Sequence, residues 1–197
     1  MKTSVPEDFD ASADVVAIGA SAGGVDALFT VLTGLRKPLR GSVIMVLHLP
    51  QDFPSRLAEV FSARLALQVE EAQPGAPVAP GKLYFAAPGY HLLVENDRTF
   101  ALSCDPPVLF SRPSIDVLME SCADVYGRAL AGVVLTGANE DGARGLAAVA
   151  ARGGITAVQD PAEAVYPTMP RAAVAAARPD YVLPLAGLAR LVQTVLR

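Results

Sequence analysis

Short runs of consecutive apolar residues alternate with stretches of helical spacing along most of the chain. Val15 to Ile18 is an unbroken apolar run ended by a glycine-rich turn, Gly19 to Gly24. Val25 to Leu35 follows with Leu28, Leu32 and Leu35 on one helical face and Gly34 in its last turn. Ser42 to Leu47 is the next buried-type strand and ends at His48; Pro54 suits the first turn of a helix running to about Arg64. Gln73 to Lys82, rich in Pro and Gly, reads as loop. Leu83 to Ala86, Leu92 to Glu95 and Thr99 to Leu102 read as short strands, the last two joined as a hairpin through Asn96-Asp97-Arg98. After a loop from Asp105 to Pro113, Ser114 is a good N-cap for a helix to about Tyr126.

The second half repeats the alternation. Leu130 to Leu135 is a strand, Thr136 to Asp141 a loop, and an Ala-rich helix comes next. Ile155 to Val158 and Tyr181 to Leu183 are strands, with a helix between them over Met169 to Ala177 and an amphipathic helix from Leu185 to close. Continuous apolar strands alternating with helices predict an α/β fold, a doubly wound and mainly parallel sheet covered on both faces, with a small antiparallel hairpin. Sites in such sheets form outside the carboxyl ends of the strands. The segments to inspect are therefore Gly19 to Gly24, His48 to Asp52 and Thr136 to Gly142.

Composition narrows the class. With 197 residues, 52% hydrophobic and 18% charged, the chain suits one globular α/β domain, expected from residue 14 to 197 behind a short leader of residues 1 to 13. A net charge of −4 with scattered basic residues leaves no footprint for nucleic acid. The acidic start, with Glu7, Asp8 and Asp10, is unlike a signal peptide, and no apolar run reaches the ~18 residues of a membrane span. A cytoplasmic protein without membrane insertion is expected. Cys104 and Cys122 read as free thiols, and with so few His and Cys no metal site can be written.

Gly19-Ala20-Ser21-Ala22-Gly23 fits G-x-S-x-G, the small-residue frame that stands a serine on a sharp strand-to-helix turn. The N–H groups of Ala22, Gly23 and Gly24 at the helix start could hold an oxyanion. A tight turn or an anion cradle gives a similar string. A dinucleotide site fits less well, because Ser21 stands at the second Gly of G-x-G-x-x-G and His48 stands where a ribose-binding acid belongs. His48 ends a strand expected beside the first, where it can take a serine proton and return it to a leaving group. In Thr136-Gly137-Ala138-Asn139-Glu140-Asp141-Gly142-Ala143, Asp141 suits a carboxylate kept ionised by a helix start; plain capping by Asn139 or Asp141 is the competing reading, and Glu140 the neighbouring alternative carboxylate. The order Ser, His, Asp differs from the usual α/β-hydrolase order.

Five segments in order, Gly19 to Gly24, His48-Leu49-Pro50, Arg112-Pro113-Ser114-Ile115-Asp116-Val117-Leu118, Thr136 to Gly145 and Met169-Pro170, resemble the catalytic domain of CheB-type chemotaxis protein-glutamate methylesterases. The resemblance runs from about Val15 to Leu183. It implies a three-layer α/β/α sandwich with a seven-stranded sheet, and hydrolysis of γ-glutamyl methyl esters on the helical cytoplasmic tails of chemoreceptors, releasing methanol. Many members also deamidate receptor glutamines. It implies Ser21 as nucleophile, His48 as general base and Asp141 as its orienter, with Ala22, Gly23, Ala138 and Arg112 around the oxyanion and substrate, and no cofactor. The partners so implied are methyl-accepting chemoreceptor tails; a separate regulatory response regulator is a further candidate partner that the sequence leaves open.

This sequence departs from the best-known members at two places beside the site: Ala22 replaces a Thr after the nucleophile, and Ala138 replaces a Met in the loop before the aspartate. Those members also carry a phosphoreceiver domain ahead of the catalytic one. The residues before Val15 are too few for one, so self-regulation by such a domain is not expected here. Arg112 has two readings, contact with acidic substrate groups or a surface ion pair. Asp116 reads as a first-turn dipole partner, His91 as structural or a minor contributor, and Met169 as core. A non-catalytic chemosensory binding module of the same fold is the alternative to an enzyme.

Overall fold

The structure, a computed structural model, describes residues 1–6, 9–49 and 56–197. The first strand, β1 (Val15–Ala20), is buried at every position, as a central parallel strand must be. It is followed by α1 (Gly24–Thr33), β2 (Ser42–Leu47), α2 (Leu57–Ser62), β3 (Gln68–Glu71), β4 (Lys82–Phe85), β5 (His91–Val94) and β6 (Phe100–Ser103). Then come α3 (Ile115–Tyr126), β7 (Leu130–Val134), α4 (Ala143–Ala151), β8 (Ile155–Gln159), α5 (Thr168–Ala177), β9 (Tyr181–Leu183) and α6 (Leu185–Val195). Seven strands form one parallel sheet in the order β3-β4-β2-β1-β7-β8-β9, and β5 pairs antiparallel with β6 as the expected hairpin.

Two cores lie on opposite faces of the sheet. Val16, Ile18 and Ala20 of β1 point into one, with Leu28 and Leu32 of α1, Phe61 of α2 and Leu188, Leu191 and Val195 of α6. Val15 and Ala17 point into the other, with Leu118 and Met119 of α3, Leu146 and Val149 of α4, Met169 of α5 and Leu92 and Phe100 of the hairpin. Three layers result, as the resemblance implies. Met169 is fully buried, so its core reading holds; Cys104 is an exposed free thiol and Cys122 a buried one.

Element bounds shift from expectation by a residue or two. One strand is missed: Gln68–Glu71 alternates one buried position with polar ones and carries no continuous apolar run, because β3 is an edge strand with a single core-facing valine, Val69. The helix expected from Pro54 to Arg64 is α2, shorter at both ends; Pro54 and the rest of Pro50 to Asp52 lie outside the described residues. So do Glu7 and Asp8 of the leader. Among its other residues, Val5, Phe9 and Ala13 pack against the core. Lys2 bridges Tyr181 of β9, with Lys2 N–H to Asp180 O at 2.7 Å and Val182 N–H to Lys2 O at 2.9 Å, and the Phe9 ring meets Tyr181 edge-on. The bridge covers part of what is otherwise an open sheet edge. No helix among the described residues is long and apolar enough to cross a membrane.

Because the sheet is parallel, all strand carboxyl ends share one edge. β1 pairs with β2 on one side and β7 on the other. The chain therefore leaves β1 in one direction and returns to its far side, and the crevice for a site opens at the carboxyl end of β1.

Candidate active site

Ser21 follows β1 directly. Its N–H donates to Thr136 O at 3.0 Å, and His48 N–H donates to Ala20 O at 3.0 Å, so the three loops after β1, β2 and β7 are laced together just past the ladder. Thr136, which the sequence reading did not single out, tightens this: its buried hydroxyl donates to Ala22 O at 3.0 Å and accepts from Tyr166 N–H at 2.9 Å. The turn needs its glycine. Gly23 has φ +76°, and a Cβ there would stand 3.1 Å from Val165 Cβ and 3.3 Å from Thr136.

Asp141 is the most fully partnered group of the site. Its carboxylate is wholly buried and accepts four hydrogen bonds, two on each oxygen. Oδ2 takes His48 Nε2–H at 2.8 Å and Ile115 N–H at 2.7 Å; Oδ1 takes the Ser114 hydroxyl at 2.8 Å and Asp116 N–H at 3.0 Å. Burial alone would push this carboxyl up, but the hydrogen bonds from His48, Asp116 and Ile115 and the His48 charge outweigh it and hold Asp141 below the usual carboxylate range. An acceptor-only carboxylate fixes the imidazole tautomer: Nε2 carries the proton and Nδ1 is left as the basic nitrogen.

Two expectations about helix ends are corrected here. Neither Asn139 nor Asp141 caps α4, whose N-cap is Gly142 at φ 96° with no side-chain cap; Asp141 instead caps α3, because its loop crosses over that helix start. Nor is Asp116 a mere dipole partner of its own helix. Its Oδ1 accepts from Gly142 N–H at 2.9 Å and Gly145 N–H at 2.7 Å, capping α4. Ser114 caps α3 as expected, accepting from Val117 N–H, while its hydroxyl also serves Asp141. Buried His91 is structural: its Nδ1 accepts from Ser114 N–H at 3.1 Å and its Nε2 donates to Pro106 O at 3.2 Å.

Other site expectations are sorted by the geometry. Gly24 N–H is spent within the turn on Ser21 O at 2.7 Å, so it is not an oxyanion donor; those of Ala22 and Gly23 have no partner among the described residues. Ala138 is exposed in the loop after β7, as is Glu140, whose carboxylate is not the one beside His48. Arg112 makes no ion pair among the described residues. Its Nη1 donates to the carbonyls of Cys104 and Asp105 at 3.0 and 3.1 Å, which ties the loop before α3, while its buried Nε has no partner among the described residues. At the end of β2, where a dinucleotide site would need an acid, stands His48 bonded to Asp141.

The partner of His48 Nδ1 is the residue that sequence reasoning missed. Ser111 Oγ lies 3.3 Å from Nδ1 and accepts from Asn139 Nδ2–H at 3.3 Å; no hydrogen bond joins His48 to Ser21 among the described residues. The structure thus brings His48 and Asp141 into contact and sets Ser21 on the neighbouring strand end, with Ser111 on the basic nitrogen. No sequence signal marks Ser111, which sits in an irregular loop. His48 and Ser111 open on a cleft of about 820 Å³ lined also by Leu49 and Arg112 among others.

The model of the CheB methylesterase family matches residues 16–192. The chain belongs to the CheB methylesterase family. A Hahella chejuensis relative named protein-glutamate methylesterase/protein-glutamine glutaminase 1 is 40% identical over 194 residues, 95% of this chain and 53% of its own. A Leptospira interrogans relative, provisionally named for the same two activities, is 40% identical over 178 residues, 90% of this chain and 92% of its own. Among solved structures, the Thermotoga maritima CheB methylesterase catalytic domain superposes with a TM-score of 0.85 at 30% identity, covering 91% of this chain and 99% of that one. The fold and the enzyme class expected of a CheB methylesterase domain are thereby shown, including the hairpin beside the parallel sheet.

Proposed function

We propose that this protein hydrolyses methyl esters on glutamate side chains of chemoreceptor cytoplasmic tails, and the amides of specific glutamines there, with residues 14–197 as the catalytic domain. The observation that carries the reading is the buried Asp141–His48 pair at 2.8 Å, set at the strand end beside Ser21. Asp141 keeps the proton on Nε2, so Nδ1 is the base. In the resting site the Ser111 hydroxyl occupies Nδ1; arrival of the ester over Ser21 replaces that contact with Ser21 Oγ. Hydrogen bonds of this kind are often loose in free enzymes and tighten with substrate.

Ser21 Oγ attacks the ester carbonyl and its proton passes to His48 Nδ1. The Ala22 and Gly23 N–H groups hold the oxyanion. Collapse of the tetrahedral adduct returns the proton to the leaving methoxide, which departs as methanol and leaves a glutamyl ester on Ser21. Water, deprotonated by the same nitrogen, then releases the glutamate. With an amide the leaving group is ammonia. Ala22 and Ala138 leave room around the carbonyl, and Arg112 shapes the wall of the cleft. A cytoplasmic location and control by a separate response regulator accompany this reading.

The test is methanol release from methyl-labelled chemoreceptor. Release by the wild type and none by Ser21→Ala is expected. A Ser21→Ala protein as active as wild type would overturn the mechanism. Receptor binding without turnover by the wild type would point instead to a non-catalytic module.

A further inference from the structure

A two-residue hairpin forms where its residues oppose one. Val108 and Ser111 make an isolated antiparallel bridge, with Val108 N–H to Ser111 O at 3.1 Å and Ser111 N–H to Val108 O at 2.8 Å. Between them, Leu109 and Phe110 have φ 47° and 64°. Positive φ at both central residues is the mark of a type I′ turn, where Asn-Gly is the favoured pair. Bulky side chains are strained there. Burial does not repay the strain, since Leu109 is 45% exposed and Phe110 99% exposed.

The location gives the turn a use. Its last residue is Ser111, the partner of His48 Nδ1, and its tip walls the catalytic cleft beside Leu49. Beyond the nucleophile turn stand two more large exposed apolar side chains, Val165 and Tyr166. They stand beside it: a Cβ on Gly23 would lie 3.1 Å from Val165 Cβ, and the Thr136 hydroxyl that donates to Ala22 O accepts from Tyr166 N–H at 2.9 Å. Pro107, Leu109, Phe110 and Pro113 make much of the cleft's wall apolar, beside Arg112, whose Nη1 is held by two carbonyls.

We infer that Leu109 and Phe110, together with Val165 and Tyr166 beside the Ser21 turn, grip the apolar side chains that flank the reacting glutamate on a helical protein substrate. This rests on the function proposed above. On a helix, residues three and four positions away share the face of the glutamyl ester and must meet the enzyme when the ester does. An exposed aromatic at the mouth of a cleft is the kind of group that carries binding energy at protein interfaces. The strained turn presents it outward without a flexible loop.

The experiment compares wild type with L109N/F110G, which installs the favoured turn pair. The variant gains stability, with Tm up by about 2–4 °C or more, so a loss of activity cannot come from misfolding. Its KM for methylated receptor fragment rises about ten- to thirtyfold more than its KM for p-nitrophenyl acetate, an ester too small to span the flanking surfaces. An equal change on both substrates overturns the inference and leaves the function standing. A wild type that hydrolyses p-nitrophenyl acetate but no receptor ester overturns the function, and the occupant with it. Sedimentation showing a wild-type dimer that the variant dissolves, with receptor KM unmoved, assigns the surface to a second copy and also overturns the inference.

Discussion

Asp116 and Asp141 each cap the helix that the other introduces: Asp141 takes N–H groups at the start of α3, and Asp116 takes N–H groups at the start of α4. Two orphaned helix ends are satisfied by one exchange. The exchange also locks the carboxylate that orients His48, since Asp141 cannot turn without releasing α3. Rigid support of this kind is what keeps a catalytic group within a fraction of an ångström of its place.

Asp141→Asn keeps the shape and loses the charge. An amide nitrogen turned toward His48 Nε2 would select the wrong tautomer and block Nδ1 as the base. kcat for the small ester is expected to fall about 10³–10⁴-fold with the fold retained, as circular dichroism would show. A loss under tenfold would mean that Asp141 does not set the tautomer.

The two aspartates respond oppositely to acid. Asp141 is held below the ordinary range, so its contribution is present above the unfolded-state carboxylate pKa and is lost as pH falls through the lower folded value. Burial raises Asp116 despite Gly145, Arg144 and Gly142 pulling it down, so its contribution is present below the unfolded pKa and is lost as pH rises through the folded value. Asp116→Asn should therefore be within about 1 kcal/mol of wild type at pH 7, keeping an acceptor for both N–H groups. Asp116→Ala leaves them unpaired and should cost about 1–3 kcal/mol. Urea unfolding at pH 7 and pH 4 checks this: the Asn variant must lose ground to wild type as pH falls.

Ser21 and Ser111 are both near His48, and only one is expected to be acylated. A fluorophosphonate should add a single mass to the peptide containing Ser21. Ser111→Ala should keep the acylation burst with kcat lowered no more than about tenfold, whereas Ser21→Ala abolishes the burst. An adduct on Ser111 would reassign the nucleophile.

Gly19→Ala tests the packing beneath the site. A Cβ at Gly19 would stand 2.2 Å from Ile115 Cγ2, and the N–H of Ile115 is bound to Asp141. The methyl must push the start of α3 away, costing about 1–3 kcal/mol and so lowering Tm by roughly 2–4 °C per kcal/mol. kcat should fall with it. An unchanged Tm would show that the helix start yields freely.

The sheet was legible because its strands are buried on both faces and read as continuous apolar runs; β1, β2 and β7 stand within two residues of expectation. β3 was illegible for the converse reason, as an edge strand with Val69 alone in the core. At the site, residues carried by motifs on strand ends were legible as candidates: Ser21, and His48 and Asp141, which stand 2.8 Å apart. Those that act through contacts between segments far apart in sequence were not. Ser111 meets His48 across 63 positions, and nothing local distinguishes it from any loop serine. Asp141 was legible as a carboxylate at a helix start but not as the cap of a different helix, because capping across loops leaves no spacing to read.

The parallel order of the sheet also governs how the protein is made. β1 leaves the ribosome ahead of both its partners and pairs with β2 soon after, but its other edge waits for β7, where Val15 meets Leu130. Until then a strand apolar at every position stands half-zipped, and such late, non-local pairing folds slowly and exposes edges to other chains. Ser21 and His48 are thus synthesised early, yet Ser21 acquires its neighbour Thr136, and His48 its partner Asp141, only when most of the chain is in place. The nascent protein is chemically idle while it is most prone to aggregate, and holding it apart from its like during that interval falls to the cell.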